Sequence, residues 1–121
     1  MTDREAVERW VAGYERAWRT AGTDALAELF TDDAEYRMSP YDEGVRGLDA
    51  IAELWERERQ GPDEQFDMRS EVVAVDGDRA VVFVEVHYGP PRDKDYRDLW
   101  VLRFDSSDRC SDFEEWYFSP S

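Results

Sequence analysis

The amino-acid sequence predicts an α+β fold, and three observations carry that reading. Apolar residues recur at helical spacing only in roughly the first half of the chain, while from Phe66 onward they alternate with a period of two. Clusters of turn-forming residues separate the alternating runs, as expected for strands joined by hairpins. Helices followed by a run of hairpin-linked strands place the helices on one side of an antiparallel sheet. The third observation is size. With 121 residues, 41% hydrophobic and 14% aromatic including five tryptophans, the chain spans one domain, 1–121, and can bury an ordinary core although 37% of it is charged.

The first helix is expected over residues 3–20, where Val7, Trp10, Val11, Tyr14, Ala17 and Trp18 form one apolar stripe opposite Arg and Glu. Thr2 or Asp3 can cap it. The AGTD segment breaks the pattern, and a short helix starting at Thr23 buries Leu26, Leu29 and Phe30. AEYRM, residues 34–38, reads as a short strand. After the glycines of YDEGVRG a third helix begins near Leu48, with Leu48, Ile51, Leu54 and Trp55 as its stripe, and GPDE at 61–64 ends it. Four strands follow near residues 66–75, 79–88, 96–104 and 111–118, with DGD, GPPRDKD and DSSD as the intervening turns.

The formal net charge of −15 repels phosphate backbones and anionic head groups, which argues against nucleic acid and membrane surfaces as partners. Cys110 is the sole cysteine and His87 the sole histidine, so no Cys/His cluster exists to hold zinc, and a single histidine argues against most metal and triad schemes. No signal-like start or membrane-length apolar run occurs, and the expected location is cytoplasmic. No cofactor is expected. The strands near 79–88 and 96–104 are apolar on both faces, whereas three short helices can cover only one. The other face would show Val82, Val84, Val86, Leu99, Val101, Trp116 and Phe118 to water, and a homodimer through that outer face is the simplest cover.

The order of elements, with LFTDDAEYRMSP, GVRGLDAIAELW, DLWVLRFDSSDR and FEEWYF, resembles the SnoaL-like branch of the nuclear transport factor 2-like superfamily over essentially the whole chain. That resemblance implies a cystatin-like, cone-shaped curved sheet wrapped around the three N-terminal helices, with a ligand pocket in the hollow. It includes ketosteroid isomerases, polyketide cyclases, epoxide hydrolases and dehydratases, so it specifies fold far better than activity. Laid against ketosteroid isomerases, Trp100 falls where those enzymes keep the acid of the oxyanion hole, and Met38 or Ser39 where they hold the general base. Both acids are missing, which argues against steroid isomerisation by that mechanism.

The same comparison sends Tyr96, Asp98 and Trp100 inward, together with Phe83, Glu85 and His87 on the neighbouring strand and Phe113, Glu115 and Tyr117 on the last. Tyr14, Trp18, Tyr36, Met38 and Trp55 complete the expected ligand wall. With the hairpin loop centred on residues 91–92, Glu85 lies opposite Asp98 and His87 opposite Tyr96. Two carboxyl groups so placed among aromatic walls cannot both ionise cheaply, which would supply an acid and a base side by side. The candidate catalytic set is therefore Glu85, His87, Asp98 and Glu115. In the alternative, an arginine such as Arg46 or Arg92 neutralises Glu85 and Asp98 as a structural ion pair, and His87 sits half exposed at its strand end. Two functions remain open: a small-molecule binder capable of acid–base catalysis on a partly apolar ligand, or a non-catalytic accessory domain whose pocket is plugged by aromatic side chains.

Overall fold

The computed structural model describes residues 2–59, 65–90 and 93–120. Helix α1 (Arg4–Trp18) starts at Asp3, whose carboxylate accepts from Ala6 N at 2.8 Å, and buries Val7, Trp10, Val11, Tyr14 and Ala17. Helix α2 is a single turn, Leu26–Leu29. Phe30, expected on that helix, instead opens strand β1 (Phe30–Arg37), which is thus longer than the AEYRM segment. Phe30 is fully buried either way, so local burial alone does not distinguish helix end from strand start. Strand β2 (Val45–Arg46) folds back on β1, and helix α3 (Leu48–Glu58) follows. The turn between β1 and β2 requires Gly44: its φ is +75°, and a Cβ there would lie 2.6 Å from the Tyr36 carbonyl oxygen. The GPDE segment expected to end α3 lies outside the described residues.

Strands β3 (Phe66–Asp76), β4 (Arg79–Tyr88), β5 (Lys94–Phe104) and β6 (Cys110–Phe118) form an antiparallel meander, and the sheet order is β2-β1-β6-β5-β4-β3. One junction departs from the antiparallel expectation: β1 pairs with β6 in parallel. The connection between them runs through α3 and four further strands, so no tight turn imposes an antiparallel direction. Register shifts between Val72 and Ala74 on β3 and between Arg103 and Phe104 on β5 mark irregularities that bend the ladder, and the sheet curves around the helices.

The core lies between α1, α3 and the concave sheet face. Trp10 is its centre: the indole packs edge-on against Phe30, Trp100 and Phe104, and its Nε1 donates to the Leu29 carbonyl at 2.8 Å. Truncating a side chain buried this way typically costs about 3–5 kcal/mol. Arg59, at the C-terminal cap of α3, is an unusual buried cation, with its side chain 2% exposed. It donates to the carbonyls of Ala17, Thr20 and Gly22, at and just beyond the C-terminal end of α1, and it pairs with Glu56.

The β4–β5 register corrects the expected inward set. The partners are Val82 with Trp100, Val84 with Asp98, Glu85 with Arg97, Val86 with Tyr96 and His87 with Asp95. The expected pairing is displaced by one residue, and because side chains alternate, that slip turns all of β4 over. Val82 and Val84 are fully buried in the core and Val86 packs against it, so none of the three belongs to the outer face. Phe83, Glu85 and His87 point outward instead. Leu99, Val101, Trp116 and Phe118 do lie outward, joined by Phe83, which pairs with Leu99, and Val81, which pairs with Val101.

Candidate functional site

Between α1, α3 and the concave sheet lies a cavity of about 220 Å³. Its deep wall comes from β5 and β6, whose alternation sends Tyr96, Asp98 and Trp100, and Glu115 and Tyr117, to the same side. Trp100 stands across from Glu115 and Asp98 across from Tyr117, so the two carboxyl groups are diagonal neighbours on adjacent strands. Trp100 Nε1 donates to Glu115 Oε2 at 2.9 Å. Asp98 is 5% exposed, and its Oδ1 accepts no hydrogen bond from any donor among the described residues.

Burial, reinforced by the neighbouring Glu115 carboxyl, pushes the Asp98 carboxyl up from 3.8 to about 8. Burial also raises Glu115, while the Trp100 N–H and the Asp98 hydroxyl favour its ionised form. Both carboxyl groups are thus pushed toward the protonated form, which favours a proton held between them. Facing them, the Tyr14 and Tyr36 hydroxyls are 2.8 Å apart. Burial first, then mutual proximity and the Glu115 charge, keep Tyr14 protonated well beyond the usual range, and burial with the Glu115 charge does the same for Tyr36. Trp18 and Trp55 pack with ring centres 4.8 Å apart, and the buried Trp55 Nε1 has no hydrogen-bond partner among the described residues.

Of the residues singled out in the sequence, the cavity is lined by Tyr14, Trp18, Tyr36, Met38, Trp55, Tyr96, Asp98, Trp100, Glu115 and Tyr117. Phe113 does not reach it: fully buried, it stacks behind Tyr36 with ring centres 4.4 Å apart. Phe83, Glu85 and His87 are on the opposite face of the sheet, for the register reason given above. Glu85 accepts from Arg69 Nη2 at 2.7 Å and lies 3.7 Å from Arg97 Nε, so it is an ion-paired surface acid. Of the arginines named from sequence, Arg46 pairs instead with Glu35 at 3.2 Å, and Arg92 lies outside the described residues. His87 is exposed and bonded through Nδ1 to Asp95, which raises its pKa. Neither Glu85 nor His87 touches the carboxyl pair.

Sequence reasoning missed Leu54, Glu58, Phe66, Met68, Val86 and Tyr88 among the lining residues. The signal for Glu58 was available, since it falls four residues after Leu54 on the inward stripe of α3. Phe66 pairs with Tyr88 and Met68 with Val86, so a correct β4 register would have brought in those on the strands. Among the described residues no cluster of His, Cys, Asp and Glu is arranged to hold a metal ion, and no helix is long and apolar enough to cross a membrane.

The comparisons agree with this architecture. The SnoaL-like domain family matches residues 7–111, and the chain belongs to that family. Among solved structures, an NTF2-like protein of unknown function from Mesorhizobium loti is similar at 23% identity and a TM-score of 0.66, covering 98% of this chain and 96% of that one. SalBIII, an epoxide hydrolase/cyclase-like enzyme of pyran ring formation in polyether salinomycin, is similar at 17% identity and a TM-score of 0.76, covering 98% and 95%. A candidate ketosteroid isomerase from Kribbella flavida is similar at 21% identity and a TM-score of 0.68, covering 100% and 82%. At these identities the likeness establishes the shared fold. No curated protein matches the chain by sequence.

Proposed function

We propose that the cavity takes up a compact, partly apolar organic molecule and that Asp98 and Glu115 exchange protons with it. The observation that carries this reading is a carboxyl group, 5% exposed and without a donor to its Oδ1, set beside a second carboxyl at the wall of a 220 Å³ cavity. An unpartnered buried polar group costs stability, and its persistence at a cavity wall is the pattern of a site kept for a ligand. Asp98, protonated near neutrality, acts as the general acid. Glu115, held by the Trp100 N–H, acts as the general base. The Tyr14–Tyr36 pair supplies a hydroxyl to polarise a ligand oxygen.

These roles suit isomerisation, ring closure, dehydration or hydrolysis, and the isomerase-like and cyclase-like fold neighbours fit the same range. The accessory-domain alternative needs a plugged pocket, and no observation favours it. A thermal-shift screen with small aromatic, polyketide-like and terpenoid compounds tests uptake, because a ligand that binds only the folded chain raises its Tm. Carboxyl NMR titration tests the chemistry: ordinary values at both Asp98 and Glu115 overturn the catalytic part.

The outer face of the sheet carries a continuous apolar stripe of Val81, Phe83, Leu99, Val101 and Trp116, and its pairing with a second copy by a twofold axis is part of this reading.

A further inference from the structure

We infer that Trp55 is the residue by which the cavity selects its ligand: its indole N–H donates to an acceptor oxygen, a carbonyl or ether, that the ligand places against α3. The inference rests on the cavity being the ligand site, as proposed above, and adds the group that the site reads. Trp55 lines the cavity, is 1% exposed, and its Nε1 has no hydrogen-bond partner among the described residues. An indole nitrogen donates and does not accept, so only an acceptor answers it. The fold provides one to other tryptophans: Trp10 Nε1 bonds the Leu29 carbonyl at 2.8 Å, Trp100 Nε1 bonds Glu115 at 2.9 Å, and even the partly exposed Trp116 bonds Glu114 at 2.7 Å. Buried indole N–H groups usually find such a partner, and one left without it lowers stability.

The indole is fixed where it stands. Ile51 and Leu54 share the buried face of α3 with it, and the Tyr14 and Trp18 rings meet it edge-on with centres 5.0 and 4.8 Å away. A side chain packed on those sides does not turn to find an acceptor elsewhere. Its N–H lies near the Tyr36 hydroxyl. Burial first, then the Glu115 charge, hold that hydroxyl in its protonated form, and the Tyr14 bond and the Trp55 N–H work against both, yet the N–H and the hydroxyl are not aligned as a hydrogen bond. Tyr36 is instead bonded to Tyr14 at 2.8 Å. Donors from α1, α3 and β1 therefore gather in one part of the cavity, whereas the carboxyl pair stands on β5 and β6. A ligand oxygen seated among those donors completes the Trp55 N–H and accepts the hydroxyl proton that the tyrosine pair does not use internally. A hydrocarbon of the same shape leaves both unanswered, and a site with buried donors discriminates against such an analogue.

The test is NMR titration of the isotope-labelled full chain with acetophenone and with α-methylstyrene, which has the same ring and outline but a methylene group in place of the oxygen. Binding is followed at the methyl groups of Met38 and Met68, which line the cavity. The Trp55 indole signal is identified by its loss in Trp55→Phe, or through its contacts with the Tyr14 and Trp18 rings if that variant does not fold. Acetophenone is expected to move the signal downfield relative to α-methylstyrene, since the shared ring affects both titrations alike. Trp55→Phe should weaken acetophenone about tenfold and leave α-methylstyrene within about twofold of its affinity for the parent. No downfield movement at saturating acetophenone, or an equal loss of both compounds in the variant, overturns the inference and leaves uptake by the cavity standing. Failure of both compounds to bind at millimolar concentration overturns it together with that reading.

Discussion

Trp100 and Glu115 face each other across the β5–β6 ladder, joined by an indole N–H to carboxylate bond of 2.9 Å. This bond orders the pair behind it. By favouring the ionised form of Glu115, the indole helps leave the shared proton on Asp98. Replacing Trp100 by phenylalanine removes the donor and retains an aromatic ring. The Glu115 carboxyl should then titrate higher than in the parent protein, and the fold should lose on the order of 1–3 kcal/mol from the lost bond and the incompletely filled space. Carboxyl NMR titration and urea unfolding read the two effects separately, and an unmoved Glu115 would show that the bond does not control the pair.

The Asp98 titration sets a sign for stability against pH. The folded value, about 8, is above the ordinary 3.8, so between these values the folded chain holds a proton that the unfolded chain has released. Stability must therefore fall as pH rises from about 4 toward 8. Asp98→Asn keeps the shape without the titration, so the variant should gain on the parent across that window, by an amount on the order of 1–3 kcal/mol at its upper end. Urea midpoints of both proteins at pH 5 and pH 8 check it, and a difference that does not grow with pH would refute the raised value.

Arg59 clamps the end of α1 to α3 through carbonyls at Ala17, Thr20 and Gly22. Arg59→Ala leaves them without their charged donor and should cost on the order of 3 kcal/mol, with Arg59→Lys intermediate because an ammonium cannot reach all three in the guanidinium's fork. Thermal and urea unfolding measure this. An effect below about 0.5 kcal/mol would mean that water replaces the clamp.

Placement on the two sheet faces gives a fourth expectation. Glu85→Gln and His87→Ala alter exposed, ion-paired groups and should change stability by no more than about 1 kcal/mol, with no effect on ligands taken into the cavity. Phe83→Asp, on the outer apolar stripe, should instead shift a dimer toward monomer in analytical ultracentrifugation. Loss of cavity binding in the Glu85 or His87 variants would contradict the register.

Much of this protein was readable from residue order. The helical stripe of α1 and the turn chemistry of DGD and DSSD depend on local spacing that the chain carries with it, and the family resemblance, applied to the alternation within β5 and β6, sent Asp98, Trp100 and Glu115 to one side. The β4 face was not readable. Val82, Val84 and Val86 on one side and Val81 and Phe83 on the other make both faces apolar, so alternation was present but its direction was not encoded in hydrophobicity. Only the pairing with β5 chose it, placing Val84 across from Asp98 and moving Glu85 and His87 out to the arginines and Asp95. The sequence by itself determined most of the elements and the family likeness. The tertiary structure decided which acid is Asp98's neighbour in the cavity, because a one-residue change of register costs little locally and exchanges every side chain between core and surface.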